Sequence, residues 1–152
     1  RPKFINDLTG PIINKGVHFV QGSRYIHFKN KNMPFFRKLI IPFITKVFSL
    51  LFNYKFTDAT CGFRAFHLDL IKCCTFNINA NWLRKYALEP YLFSNVILDK
   101  NVRKVEVSVT MDYPSTNLKY TKIKPVIDYP SLFFPYLIAL IYPRKFNDLN
   151  SY

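Results

Sequence analysis

The most informative run in the chain is TDATCGFRAF, which occupies residues 57–66 and passes from a polar loop into an apolar pair. A carboxylate at Asp58 and a guanidinium at Arg64 stand on either side of Gly62. Because glycine tolerates backbone conformations that are closed to other residues, we expect Gly62 to shape this loop. Two roles are open for Asp58: it acts as general base toward a substrate hydroxyl, or it pairs with Arg64 and shapes the loop.

Two elements are predicted near the start of the chain. Apolar residues at helical spacing predict a helix over residues 2–15, which Gly16 ends. A proline inside a helix removes a hydrogen bond, so Pro11 predicts a break or a kink there. A short apolar strand over residues 17–21 follows, and it ends at the Gly-Ser-Arg turn of residues 22–24.

The remaining pattern alternates helices with a single clear strand. Apolar spacing predicts a helix over residues 34–53, a short helix over residues 68–74 and a further helix that begins at Glu89. Residues 104–110 alternate valine with polar residues, as a half-buried strand requires. An apolar segment, residues 129–142, is the last predicted helix. The order indicates an α/β fold whose sheet is incomplete, because two strands cannot cover so many aromatic side chains.

The composition indicates a folded, strongly basic protein. The 152 residues are 49% hydrophobic, and 22 Lys and Arg against 9 Asp and Glu give a net charge of +13. This charge requires a negative partner: nucleic acid, anionic lipid or a phosphorylated substrate. The basic residues are spread along the chain and form no basic-aromatic strand motif, so we expect no nucleic-acid partner.

Two apolar segments raise the question of a membrane. Residues 39–52 and 131–142 are both shorter than the roughly 20 residues that a spanning helix needs. Each either lies in a membrane interface or forms a core helix of a water-soluble fold. The three cysteines, Cys61, Cys73 and Cys74, make a poor disulfide framework and indicate a reducing compartment.

Three further segments carry recognisable patterns: VQGSRY at residues 20–25, VEVSV at residues 105–109 downstream of Glu89, and YTKIKP at residues 120–125. Taken in order with TDATCGFRAF, they resemble the motifs of glycosyltransferase family 2, which includes the polyprenyl-phosphate sugar synthases. Ser108 stands where that family has proline, a change of little consequence within a strand. The resemblance spans residues 2–130.

The resemblance implies a partial GT-A fold that lacks the N-terminal nucleotide-binding half. Residues 1–128 would be the acceptor-side part, and residues 129–152 an apolar C-terminal segment at the membrane interface. It further implies transfer of a sugar, with inversion, from a nucleotide-sugar donor to a lipid-linked phosphate or glycan acceptor. Such a reaction serves cell-envelope glycan synthesis at the cytoplasmic face of a membrane. The Mg²⁺ or Mn²⁺ expected for the full-length enzyme would have its ligands outside this chain, so the fragment alone is expected to be inactive.

The resemblance also implies roles for individual residues. Asp58 and Glu89 are the two candidate catalytic carboxylates. Arg24, which offers a planar fork of donors at a strand end, is a candidate for binding acceptor phosphate. The other phosphate-binding candidates are Arg37, Arg64, Lys122 and Lys124, and the residues expected to shape the loops are Gly22, Ser23 and Gly62. No metal ligand is expected in this chain.

Structural or surface roles without catalysis stay open for several of these residues. Arg24 is otherwise a surface arginine at a strand end, and Arg37 a side chain that reaches solvent or headgroups along its stem. Glu89 otherwise stabilises the positive end of its helix by about 0.3–1 kcal/mol. At the level of the whole chain, the alternatives are a basic nucleic-acid-binding module and a non-catalytic peripheral membrane protein.

Overall fold

The computed structural model describes residues 4–27, 33–83, 87–111, 113 and 125–146, with the backbone alone for residues 125–132. Within these residues the chain is a mixed α/β protein with a three-stranded sheet and five α-helices. They form two units, each described by itself. The first unit comprises the described residues of 4–67 and 103–113, and the second those of 68–102 and 125–146.

The sheet lies in the first unit and is mixed. Its strands are β1 (Phe19–Ser23), β2 (Arg64–Phe66) and β3 (Lys104–Ser108), in the spatial order β2-β1-β3. β1 pairs antiparallel with β2 and parallel with β3, with Gly22 opposite Val107. Because β1 and β3 run parallel, their carboxyl ends lie at one edge of the sheet, where ligands commonly bind in α/β proteins.

Helix α1 (Ile5–Lys15) packs beside this sheet. Its apolar face contributes Leu8 to a core cluster with Val17 and Val20. Gly16 ends the helix in the left-handed conformation at φ 57°, which is the arrangement favoured for glycine. The helix continues through Pro11, so the break considered from the sequence does not occur.

Helix α2 (Phe35–Leu51) also belongs to the first unit. It begins after Pro34, and its buried residues are Ile41, Thr45 and Phe48. Ile41 joins a small cluster with Met33 and Tyr113, which stands beyond the end of β3. The opposite face of α2 is apolar and exposed.

The second unit is helical. It contains α3 (Asp69–Lys72), a 3₁₀ turn (Asn81–Leu83), α4 (Leu88–Leu98) and α5 (Pro125–Ile141). Helix α4 is buried along most of its length, and Tyr91, Leu83 and Ala139 form its core cluster. The boundary proposed between residues 128 and 129 falls inside α5, so no break in the backbone separates the two segments there.

Most predicted elements are confirmed. Helices over 2–15, 34–53 and 68–74, the helix beginning near Glu89 and the strand over 104–110 all correspond to observed elements with shifts of a few residues. The expectation of two strands was wrong, since β2 adds a third. Its three residues are too few to show an alternating pattern. In the described part of the chain, no helix has both the length and the apolar content to cross a membrane.

Candidate functional site

Three parts of the first unit meet at the carboxyl edge of the parallel strands. Arg24 directly follows β1, Tyr113 lies beyond β3, and the Thr57–Gly62 loop leads toward β2. The backbone N–H of Gly22 donates to the carbonyl of Phe63 at 2.8 Å and fastens the far end of that loop to β1. The TDATCGFRAF run is therefore held against the strand that carries Arg24.

The centre of this arrangement is a buried ion pair between Arg24 and Asp58. Arg24 is 6% exposed and Asp58 is completely buried. The Arg24 Nε donates to Asp58 Oδ2 at 2.6 Å, and its Nη2 donates to Oδ1 at 2.9 Å. The Arg24 backbone N–H also donates to Oδ2 at 3.2 Å. Two parallel N–H bonds to one carboxylate are the most directional form of this pair.

Thr60 closes the other side of the carboxylate. Its backbone N–H and its hydroxyl donate to Asp58 Oδ1 at 3.2 and 3.0 Å. Both carboxylate oxygens thus accept hydrogen bonds from within the protein, which compensates for their removal from water. Asp58 presents no surface to solvent, so this geometry favours the loop-shaping role over contact with a substrate hydroxyl.

Arg24 is engaged on all its guanidinium nitrogens. Besides the contacts with Asp58, Nη1 donates to the Tyr113 hydroxyl at 3.2 Å and Nη2 to the Thr60 hydroxyl at 2.6 Å. Burial opposes the charge of Arg24, but the hydrogen bonds and negative charge of Asp58, assisted by Tyr113, outweigh it and raise the Arg24 pKa above its ordinary value. The guanidinium is therefore a fixed structural cation in this conformation.

Glu106 on β3 holds the start of the loop. Its Oε2 accepts from the Thr57 backbone N–H at 2.8 Å and lies 2.7 Å from the Thr57 hydroxyl. Its Oε1 accepts from the Asp58 backbone N–H at 3.3 Å. The Thr57 hydroxyl also lies 2.6 Å from the Ser23 hydroxyl, which connects the loop to the end of β1. Ser23 thus contacts the loop, and its loop-shaping role stays a prediction.

Two further polar groups complete the support of the loop backbone. The Gln21 side-chain amide donates to the Asp58 carbonyl, and the Ala59 N–H donates to the Thr45 hydroxyl at 3.3 Å. Gln21 and Thr45 are both buried. β1, α2 and β3 therefore each contribute a side chain that holds residues 57–59 in place.

The two glycines predicted to shape the site behave differently. A Cβ at Gly22 would approach the Phe63 carbonyl oxygen and both methyl groups of Val109 to 3.0 Å. Glycine at position 22 therefore permits a close approach that a Cβ would crowd. Gly62 has no positive φ, and a Cβ there would meet nothing within 4 Å. The glycine-specific conformation expected at Gly62 was wrong.

Arg37 and Arg64, the other two predicted arginines that the structure describes, contact residues of the same network. Arg64, at the start of β2, donates from Nη2 to the Ala59 carbonyl at 3.2 Å. Arg37, in the first turn of α2, stands 5.6 Å from the ring centre of Tyr113, within the range of a cation–π contact. Both side chains are partly exposed. The structure thus brings Arg24, Arg37 and Arg64 to one network in the first unit.

The remaining predicted residues are Glu89, Lys122 and Lys124. Glu89 is exposed in the first turn of α4, in the second unit, a position that suits the stabilisation of a helix end. Lys122 and Lys124 fall outside the described residues. Their proposed roles stay predictions.

Sequence reasoning missed several residues of the network, chiefly Glu106, Tyr113, Thr57 and Gln21. Glu106 was noted within VEVSV, and the alternation of β3 puts it on the face opposite the valines. Nothing in the sequence indicates that its partner is a backbone N–H 49 residues upstream.

Within the described residues, no group of three or more His, Cys, Asp or Glu side chains is arranged to hold a metal ion. Comparisons of the chain with protein-family models, with curated proteins and with solved structures found no match. The family resemblance therefore rests on the sequence motifs.

Proposed function

We propose that this chain is the acceptor-side part of a family 2 glycosyltransferase of GT-A fold, which transfers a sugar from a nucleotide-sugar donor to a lipid-linked phosphate or glycan acceptor. The observation that carries the proposal is the position of the TDATCGFRAF loop. Its carboxylate is fixed by Arg24 at the carboxyl edge of two parallel strands, where α/β enzymes commonly bind their ligands.

The three arginines have different roles in this proposal. Arg24 positions the loop, because all its guanidinium nitrogens donate hydrogen bonds to protein groups. Arg37 and Arg64 are both partly exposed residues of the same network. They are the better candidates for the acceptor phosphate, since a guanidinium presents a planar pair of donors to phosphate oxygens.

An acceptor phosphate also removes the need for a strong base. Its oxygen is already an anion at neutral pH, so it attacks the donor sugar without first losing a proton. This chemistry fits a site in which Asp58 is enclosed and engaged with Arg24 and Thr60. A hydroxyl acceptor would instead need an accessible carboxylate, and Glu89 is then the candidate.

The donor nucleotide and its metal ion belong to a different part of the proposed enzyme. In this proposal Mg²⁺ or Mn²⁺ would neutralise the donor diphosphate from ligands outside the chain. The part played by the present residues is to orient the acceptor and to hold the Thr57–Gly62 loop against the strands.

The test is a transfer assay on the protein that carries this segment together with its donor-binding half. Radiolabelled nucleotide sugars are offered with polyprenyl phosphate or a glycan, with Mg²⁺ or Mn²⁺ present. Arg37→Ala and Arg64→Ala should each lower the rate by about tenfold or more. The matched control is Arg144→Ala, an exposed arginine of the second unit, which should leave the rate unchanged. The absence of any transfer from all donors would overturn the proposal.

A further inference from the structure

The exposed face of α2 is apolar along its whole length. Seven large hydrophobic side chains of this helix are between 37% and 75% exposed: Phe35, Phe36, Leu39, Phe43, Val47, Leu50 and Leu51. We refer to them as the α2 apolar face. The opposite side of the helix is already packed into the first unit through Ile41 and Phe48. A helix that is apolar on both sides is normally covered on both sides.

The α2 apolar face is continuous and has a basic border. Phe35, Leu39, Phe43 and Val47 follow one another at a spacing of four, so they form a stripe along the helix. Lys38 and Lys46 are exposed and eight residues apart, which places both along one margin of this stripe. Lysine stems lie along apolar surface while their ammonium groups reach the polar region.

The surrounding sequence has a single sign of charge. Between Asp7 and Asp58 the chain has no acidic residue, whereas it has eight Lys or Arg: Lys15, Arg24, Lys29, Lys31, Arg37, Lys38, Lys46 and Lys55. A protein partner that covered this face would need an acidic border around an apolar centre. A bilayer that contains anionic lipid supplies both properties over an extended plane.

We infer that the α2 apolar face docks on an anionic membrane, with α2 lying in the plane of the interface. The 17 residues of α2 span about 26 Å, and their buried side remains attached to the first unit. Phe and Leu side chains enter the acyl boundary, while Lys38 and Lys46 contact lipid phosphates. The face would hold the protein at the surface where a lipid-linked acceptor is found.

Membrane docking by α2 rests on the proposed function, but it can be measured separately from sugar transfer. Vesicle binding measures docking without any sugar transfer, and transfer to a water-soluble acceptor measures catalysis without docking. Loss of one with retention of the other therefore distinguishes a failure of this inference from a failure of the transferase proposal.

The experiment is flotation of the protein with vesicles of phosphatidylcholine alone and with vesicles of equimolar phosphatidylcholine and phosphatidylserine. We expect binding to the anionic vesicles that weakens with salt. Phe36→Ser/Phe43→Ser should lower the partition coefficient by about tenfold or more, since each ring loses its transfer into the acyl boundary. The matched control is Ile13→Ser, which removes a 76% exposed apolar side chain from α1.

A second pair of variants tests the basic margin. Lys38→Gln/Lys46→Gln should weaken binding to anionic vesicles by about tenfold or more, because each basic residue near the surface contributes to attraction. Lys15→Gln/Lys55→Gln removes the same charge from exposed positions outside α2 and should have a smaller effect.

Three results would overturn the inference. The first is no flotation with anionic vesicles. The second is equal binding by the Phe36→Ser/Phe43→Ser variant and the native protein. The third is self-association in solution that the same variant abolishes, since a second copy would then cover the face. A circular dichroism spectrum like that of the native protein shows that each variant is folded.

Discussion

The replacement of Asp58 by Asn tests the buried pair with the smallest change of shape. The substitution removes the negative charge and turns one oxygen into an N–H donor. If the remaining oxygen keeps its bonds to Arg24 Nη2 and to Thr60, the new amide faces two Arg24 donors, the backbone N–H and Nε. Those two bonds are lost, and the Arg24 charge remains buried without its counterion.

The magnitude follows from the contacts. A hydrogen bond to a charged group contributes about 1.5–3 kcal/mol, so the loss of two such bonds costs about 3–6 kcal/mol. Direct removal of one partner from a buried ion pair typically costs about 3–5 kcal/mol, which agrees. We therefore expect Asp58→Asn to lower the free energy of unfolding by about 3–5 kcal/mol.

Urea denaturation followed by far-ultraviolet circular dichroism measures this change. Asp7→Asn is the matched control, because it makes the same chemical change at an exposed carboxylate of the first unit and should cost less than about 1 kcal/mol. The double variant Arg24→Met/Asp58→Leu should recover part of the loss, since it leaves no unpaired charge. Equal effects of Asp58→Asn and Asp7→Asn, or strict additivity of the double variant, would show that the Arg24–Asp58 pair does not stabilise the fold.

Three further predictions concern neighbouring features. Gly22→Ala should lower the free energy of unfolding by about 1–3 kcal/mol, because its Cβ would come within 3.0 Å of two neighbouring residues. Gly62→Ala should have almost no effect, because a Cβ there meets no neighbour within 4 Å. Urea denaturation measures both variants, and equal losses of stability would contradict the close packing at Gly22. Glu106→Gln should accelerate hydrogen exchange at the Thr57 amide, because it weakens the charge-assisted hydrogen bond of 2.8 Å that this amide donates. NMR measures the exchange rate, and an unchanged rate would show that Glu106 does not hold the start of the loop. Burial raises the pKa of the Cys61 thiol above the ordinary thiol value of 9.0. The stability that the neutral thiol contributes is therefore full below pH 9 and is lost as the pH rises through the higher folded pKa. At pH 8.5, iodoacetamide should label it about tenfold more slowly in the folded protein than in urea, and equal rates would contradict its burial.

The sequence predicted the elements with strong periodicity and placed their ends within a few residues. Helix α2 and strand β3 show long apolar patterns with periods near 3.6 and 2, so their type followed directly. Strand β2 was missed because its extended conformation depends on hydrogen bonds to β1. These bonds join distant parts of the chain. Gly16 was recognised as a helix end from local chemistry alone, since its conformation depends on the adjoining turn.

The candidate site was predicted less completely than the fold. The sequence identified Asp58 and offered Arg64 as its partner, but the structure pairs Asp58 with Arg24, 34 residues upstream. The pairing of the strands determines which arginine contacts Asp58, because β1, which Arg24 follows, ends beside the loop. Tyr113 and Glu106 entered the network for the same reason. The local sequence does not indicate which side chains will meet through tertiary contacts. The apolar run of residues 39–52, in contrast, indicated the exposed stripe of α2.

Binding of an acceptor phosphate at the Thr57–Gly62 loop is measured most directly by titration of the protein with farnesyl phosphate, a short water-soluble isoprenoid phosphate. NMR follows the backbone amides of residues 57–62. We expect these amides to shift with farnesyl phosphate and not with farnesol, and we expect Arg64→Ala to weaken the response. Unchanged loop amides, or equal shifts with the uncharged alcohol, would contradict an acceptor-phosphate site at this loop.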